Sequence, residues 1–158
     1  HVLIDALAHI SKMRLVVAGE FWGAKQPYIE QIRKLRLENR VEIRDGYVSN
    51  EEFGALFGSA SVAVLPYKSG TGSHTAKLAL SHGVPVIATD AGSVADGVVS
   101  GHNGQIVPAG SVTALTEALS AAEDGHTLAK WTRNAAVSQT ENMRLWSEYC
   151  STVLEASG

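Results

Sequence analysis

Residues 62–88 contain two apolar runs separated by a glycine-rich turn and a short helical pattern. The runs at 62–65 and 85–88 are rich in small and β-branched side chains and have the length of buried strands. Two buried strands that are joined by a helix pair in parallel. This unit therefore predicts an α/β fold built on a parallel sheet.

The glycine-rich turn leads directly into the helical pattern that follows it. The first turn of a helix leaves backbone N–H groups unpaired and carries a partial positive charge. Glycine lets a phosphate approach the backbone because no Cβ stands in the way. We predict that this turn cradles a nucleotide diphosphate, and that the ligand is bordered by Gly70, Thr71, Gly72, Ser73, His74 and Lys77.

Composition limits the class of protein. A chain of 158 residues with 45% apolar content suits one globular domain, and its net charge of −3 argues against a nucleic-acid partner. No apolar run is long enough to span a bilayer. The single cysteine, Cys150, excludes an internal disulfide, so we expect a reducing, cytoplasmic compartment.

Strand and helix patterns alternate along the rest of the chain. Further strands are predicted at 15–18, 41–44 and 104–107, and a capping box at Ser49 and Glu52 opens one of the helices between them. This alternation predicts a Rossmann-like open parallel sheet with helices on both faces. The chain enters a helical pattern directly after His1, so we expect a fragment that lacks its first strand.

Four loops follow the predicted strands, at residues 19–23, 45–48, 66–72 and 89–93, and each contains glycine. In open parallel sheets, ligands bind outside the carboxyl ends of the strands, where the strand order reverses. The four loops are therefore the candidates for a binding site.

Four blocks of sequence carry a family resemblance. Residues 47–53, 60–66, 79–88 and 101–108 resemble, in order and spacing, the C-terminal half of the family 4 retaining glycosyltransferases, which have the two-domain GT-B architecture. The resemblance implies one Rossmann-like domain over residues 1–158 that holds a nucleotide-sugar. A separate N-terminal domain would bind the acceptor, and a peripheral membrane contact would be made through that domain.

The resemblance also implies an activity. The whole protein would transfer a hexosyl unit from a UDP- or GDP-sugar to a glycan, lipid or other acceptor, without a metal. The isolated domain would be inactive in transfer because half of the cleft is absent.

Site residues carry over with two departures. The nucleobase would lie near Tyr47 and Val48, and Gly19 with Glu20 would border the cleft. Relatives have two glutamates eight positions apart around the glycine turn, and Gly70 and Leu78 occupy these positions. Leu78 has no hydrogen-bond acceptor for the nucleotide ribose. Asp96 lies where relatives often have a glutamate, and no catalytic residue is assigned.

Two alternatives follow from these departures. The chain could be a non-catalytic GT-B-like binding module, or a domain like that of a sugar-nucleotide epimerase. The six histidines are scattered without metal-ligand spacing, so we expect no metal site. The G-x-S-x-G elbow of hydrolases and the Gly-Lys-Ser/Thr ending of a phosphate loop are both absent.

Overall fold

The computed structural model describes residues 1–21, 23–70 and 74–137. Its strands are β1 (Leu15–Gly19), β2 (Val41–Asp45), β3 (Ala63–Leu65), β4 (Val86–Thr89) and β5 (Gly104–Val107). Its helices are α1 (Val2–Ala8), α2 (Gln26–Lys34), α3 (Asn50–Ser59), α4 (His74–Ser81) and α5 (Val112–Glu123), and residues 125–137 are also helical. The helical patterns predicted beyond residue 137 and Cys150 lie outside the described residues.

All strand pairing is parallel. β1 pairs with β2, with Leu15 opposite Val41, and β4 pairs with both β3 and β5. The α/β class with a parallel sheet is therefore confirmed. The strands form two ladders, β1-β2 and β3-β4-β5, and in the described part of the chain no strand pairing joins them.

Local sequence sets the start of several helices. The Ser49 hydroxyl accepts a hydrogen bond from the Glu52 amide at 3.2 Å, and the Ser49 amide donates to the Glu52 carboxylate at 2.8 Å. This pair is the predicted capping box, and it opens α3. Ser111 caps α5 through the Ala114 amide, and a proline occupies the first turn of α2.

The core lies on both faces of β4, all four residues of which are buried. Val86 and Ala88 pack on one face with side chains of α3 and α4, including Phe57 and Leu80. Ile87 packs on the opposite face with α1 and α5. Helices therefore cover both faces of this ladder, as the sequence predicts.

Helix α1 contacts both ladders. Ala6 belongs to the cluster that contains Ile87 of β4, whereas Ile4 and Leu7 belong to a third cluster with Ile32 of α2. The residues of β1 and β2 that pack on this third cluster are partly buried. Apolar contacts through α1 thus connect the two ladders.

Gly104 lies at the point of closest backbone approach in the β4-β5 ladder. A Cβ at this position would stand 1.8 Å from the carbonyl oxygen of Val86, and the backbone φ is +158°. We expect Gly104→Ala to lower the free energy of unfolding by about 2 kcal/mol or more, because the sheet backbone must shift to relieve the contact.

Chemical denaturation of Gly104→Ala against Gly58→Ala provides the measurement and its control. A Cβ at Gly58 in α3 meets nothing within 4 Å. Gly58→Ala should leave the free energy of unfolding unchanged or raise it by roughly 0.5 kcal/mol, because alanine favours the helix. Equal stabilities for the two variants would contradict the close contact at Gly104.

Candidate functional site

Parallel pairing places the carboxyl ends of the strands along one edge within each ladder. The four predicted loops follow β1, β2, β3 and β4, and a fifth loop at 108–110 follows β5. This edge is where open α/β sheets bind ligands.

The loops after β1 and β2 are tied together by Asp45. Its carboxylate accepts a hydrogen bond from the Phe21 amide at 3.3 Å and forms an ion pair with the ammonium of Lys25 at 2.5 Å. The Gly46 amide also donates to the Gly19 carbonyl at 3.3 Å. These contacts fix the backbone that leaves β1 relative to the backbone that leaves β2.

The electrostatics of Asp45 follow from the same two contacts. The hydrogen bond from Lys25, and then that from the Phe21 amide, hold the pKa of the Asp45 carboxyl below its usual value of 3.8. Both contacts favour the ionised carboxylate because both partners are donors.

The loops after β3, β4 and β5 are joined by polar groups of β4 and its loop. The buried Thr89 hydroxyl donates to the Tyr67 carbonyl at 2.6 Å, and the Asp90 carboxylate accepts from the Ala109 amide at 2.8 Å. Thr89 and Asp90 thus hold the neighbouring loops on either side of β4.

Gly70 and Gly92 make a close backbone contact. A Cβ at Gly92 would lie 2.2 Å from the Gly70 carbonyl oxygen, and Gly92 has φ +60°. A Cβ at Gly70 would lie 2.8 Å from a methyl group of Val94. The backbone at the start of the glycine turn therefore rests directly on the loop after β4.

His1 lies at the same edge. Its ring stacks on that of Tyr28 with centroids 4.4 Å apart, and Phe21 contacts Tyr28 edge-on at 5.6 Å. Burial lowers the pKa of the His1 amino group; the carboxylate of Asp5 opposes the shift, and the ammonium of Lys68 adds to it. His1 therefore lies close to Tyr28 in α2, beside the segment that follows β1.

The predicted site residues lie on this edge or at the start of α4. Gly19 ends β1 with φ +139°, Glu20 is exposed, and the Tyr47 side chain is 81% exposed after β2. Val48 is partly buried. Thr71, Gly72 and Ser73 lie outside the described residues, so their contact with a ligand remains a prediction.

Helix α4 begins at His74, and His74 and Lys77 are both exposed in its first turn. This turn contains no acidic residue. A cation there adds to the positive end of the helix dipole, which a bound anion would offset. Leu78 packs partly buried against the core cluster of β4, and Asp96 is exposed.

The sequence profile of the family described as Glycosyl transferases group 1 matches residues 1–138. The chain belongs to this family.

Solved structures share the fold of this group 1 domain. The Anabaena protein Alr3699/HepE, in complex with UDP and glucose, has a TM-score of 0.79 and 23% identity, over 97% of this chain and 44% of that one. Sucrose-phosphate synthase from Thermosynechococcus elongatus has a TM-score of 0.77 and 24% identity, over 99% and 42%. The predicted Rossmann-like fold is confirmed.

A third structure is itself a single domain. The C-terminal domain of the group 1 family protein LpcC from Francisella tularensis has a TM-score of 0.75 and 19% identity, over 85% of this chain and 73% of that one. The present chain spans less than half the length of HepE and of the synthase. A comparison with curated proteins finds no match.

Three further features of the group 1 domain concern metal-binding groups, membrane-spanning helices and a cavity. Within residues 1–21, 23–70 and 74–137, no group of three or more His, Cys, Asp or Glu residues is arranged to hold a metal ion. No helix in the same ranges is long and apolar enough to cross a membrane. A cavity of about 330 Å³ lies next to Leu15 and Val41, at the amino ends of β1 and β2, and thus on the edge opposite the predicted site.

Sequence reasoning includes the loops that contain Asp45, Thr89 and Asp90 but does not single out these residues. Their position directly after a strand or at its end is the signal that would find them. Their partners are distant in the sequence, so the contacts themselves have no local signature.

We expect Asp45→Asn to lower the melting temperature at pH 7. The carboxylate has a lowered pKa in the folded state, so its contribution to stability is complete above the unfolded value of 3.8 and is lost as the pH falls through the folded value. The difference between wild type and variant should therefore shrink in acid. Melting temperatures measured from pH 7 down through pH 3.8 provide the test. A difference in melting temperature between wild type and Asp45→Asn that does not change with pH would contradict the ion pair.

Proposed function

We propose that this domain binds the nucleotide-sugar donor of a retaining glycosyltransferase. The whole protein would transfer a hexosyl unit from a nucleoside diphosphate sugar to a glycan, lipid or other acceptor. One observation carries the proposal: α4 starts at His74 after the loop of β3, and the loop's Gly70 rests on Gly92 at the carboxyl edge.

This arrangement suits a diphosphate for electrostatic reasons. The helix dipole favours an anion at the start of α4, and the exposed ammonium of Lys77 adds a charge-assisted donor. In sugar transfer the diphosphate gains negative charge as it leaves. Donors that are already in position lower the barrier because they need not reorganise.

The solved structures support the ligand class. HepE of Anabaena forms complexes with UDP, with UDP and glucose, and with UDP-glucose. The proposal assigns a ligand of the same class to this domain. The exposed ring of Tyr47 is available to a nucleobase, and Glu20 offers a carboxylate to donor hydroxyl groups.

The acceptor would be bound by a second domain of the same protein. The present chain covers 44% of HepE and 42% of the synthase, so those proteins have a comparable length of chain outside the match. The isolated domain would then bind donor without transfer. We also propose a cytoplasmic location and a reaction that requires no metal.

One observation favours a second candidate, a non-catalytic binding module. Gly70 and Leu78 provide no carboxylate at the positions of the two family glutamates, and Leu78 packs against apolar residues. An epimerase-like domain is a third candidate, and it would release free nucleoside diphosphate and an epimerised sugar without any acceptor.

Calorimetric titration of UDP, GDP and ADP, and of their sugar conjugates, tests the proposal. At least one nucleotide should bind this domain with a dissociation constant below about 1 mM. Binding weaker than this for every nucleotide, by this domain and by the protein that contains it, would reject the proposal. Donor binding without transfer by the whole protein would favour the binding module.

Lys77→Gln should weaken binding of the matching nucleoside diphosphate about three- to ten-fold, because one charge-assisted hydrogen bond is lost. The apo protein should keep its melting temperature or gain slightly, since a cation leaves the positive end of α4. Lys130→Gln is the control, because Lys130 is exposed in the helical segment 125–137. Equal affinities for the two variants would remove Lys77 from the site.

Gly92→Ala should weaken the same binding by about ten-fold or more while the protein stays folded. The added Cβ would displace the Gly70 carbonyl and with it the start of the glycine turn. Gly110→Ala is the matched control: its φ of +80° carries similar backbone strain, but a Cβ there meets nothing within 4 Å. Titration of both variants, with melting curves, separates displacement of the loop from loss of stability. An affinity for Gly92→Ala equal to that of the control would contradict the role of this contact.

A further inference from the structure

Strand β2 has an open backbone edge on the side away from β1. The Leu15 amide donates to the Arg40 carbonyl across the ladder, so the even-numbered residues of β2 direct their backbone groups to β1. The amides and carbonyls of Val41, Ile43 and Asp45 therefore point away from β1. No strand pairs with this edge within the described residues.

The edge of β5 that faces away from β4 is closed by its own chain. The Ile106 amide donates to the Ser100 hydroxyl at 3.0 Å, and the Gly101 amide donates to the Gly104 carbonyl at 2.9 Å. In the part of the chain that the structure describes, no turn bonds in this way to the edge of β2 beyond its first residue. An open edge of this kind is a template for another strand.

The exposed face of β2 carries two opposite charges, placed symmetrically about Ile43. Glu42 and Arg44 flank this residue and lie on the same face, where the Arg44 Nε is 2.7 Å from a carboxylate oxygen of Glu42. Charges on an edge strand oppose pairing between copies when they have one sign. The Glu-Ile-Arg run of β2 instead matches its own reverse, because each end meets the opposite charge.

We propose that β2 pairs with β2 of a second copy of this chain, antiparallel, about a two-fold axis that passes beside Ile43. This register places Ile43 opposite Ile43 of the second copy, Glu42 opposite Arg44, and Val41 opposite Asp45. The sheets of the two copies would be continuous through this pair of strands. The proposal does not depend on the proposed function, so each can fail without the other.

The register uses the backbone groups that β1 leaves free. Ile43 exchanges two hydrogen bonds with its counterpart, and the Asp45 amide of each copy donates to the Val41 carbonyl of the other. The Val41 amide is not needed, because it already donates to the Leu37 carbonyl at 3.0 Å. The Asp45 carboxylate is not needed either, and it keeps its ion pair with Lys25.

The same register brings the charged side chains together. Glu42 and Arg44 of the second copy form a non-hydrogen-bonded pair, in which facing Cα atoms are about 4.5 Å apart. Opposite charges at such positions stabilise the pairing of strands, and like charges destabilise it. A pair of five-residue strands buries little surface, so we expect a transient dimer with a dissociation constant in the micromolar to millimolar range.

Charge reversal on β2 tests the proposal in the full polypeptide that contains this domain. Glu42→Arg makes both charges of the edge positive, and Arg44→Glu makes both negative. Each variant should weaken self-association at least about ten-fold, because like charges then face each other twice in the symmetric dimer. An equal mixture of the two variants should associate, and the double variant Glu42→Arg with Arg44→Glu should regain the wild-type affinity. Sedimentation velocity over a range of protein concentrations provides the measurement.

Glu117→Arg and Arg133→Glu are the matched controls. They reverse the same charges at exposed positions of α5 and of the helical segment 125–137, and should leave self-association unchanged. A protein that stays monomeric up to about 1 mM would overturn the proposal. So would a dimer that Glu42→Arg weakens no more than Glu117→Arg does, or a mixture of the two β2 variants that associates no better than either alone.

Amide hydrogen exchange, measured by NMR, identifies the interface independently of the variants. The amides of Ile43 and Asp45 should exchange at least about ten-fold more slowly at a concentration where the protein is dimeric than at one where it is monomeric. The amides of Glu42 and Arg44 face β1, so they are internal controls that should be protected at both. Fast exchange at Ile43 and Asp45 in the dimer would place the interface elsewhere and would overturn the proposal.

Discussion

The pairing of β4 with both β3 and β5 is the constraint on which the rest of the molecule depends. All four residues of β4 are buried, so its two faces must be covered by apolar side chains from different helices. Helix α4 and residue Phe57 of α3 lie on one face, and α1 and α5 contribute to the other. Parallel pairing then directs the loops of this ladder to the same edge. The position of the candidate site is therefore a consequence of how the core is packed.

Backbone contacts determine the shape of that edge. Thr89 bonds the Tyr67 carbonyl, Asp90 bonds the Ala109 amide, and Gly70 lies against Gly92. None of these contacts uses a side chain at the two positions where the family has glutamates. The loop scaffold can therefore persist in a chain that has Gly70 and Leu78 there, because the packing of Leu78 on the core and the support of Gly70 by Gly92 require no carboxylate.

The sequence predicts the elements better than it predicts their assembly. β5 occupies the predicted 104–107, and the Ser49 capping box forms as expected, because both depend on short-range patterns. β4 begins at Val86, one residue later than predicted, because Pro85 has no N–H to donate to the ladder. The bond from Thr89 to the Tyr67 carbonyl spans 22 positions, and no periodicity specifies it. The division of the strands into the ladders β1-β2 and β3-β4-β5 also depends on which strands pair, and apolar patterning does not specify that.

The charge at the start of α4 connects this scaffold to the proposed chemistry. The two glutamates that the family resemblance implies at these positions would repel a diphosphate bound beside them, because like charges repel. Gly70 and Leu78 remove this repulsion, and Lys77 adds a cation in a turn that contains no acid. A donor held in this way would depend more on its phosphates and less on its ribose. Recognition of the nucleoside would then fall to groups that the other loops supply. Among the described residues of these loops, Tyr47 is the most exposed aromatic ring and Glu20 is an exposed carboxylate after β1.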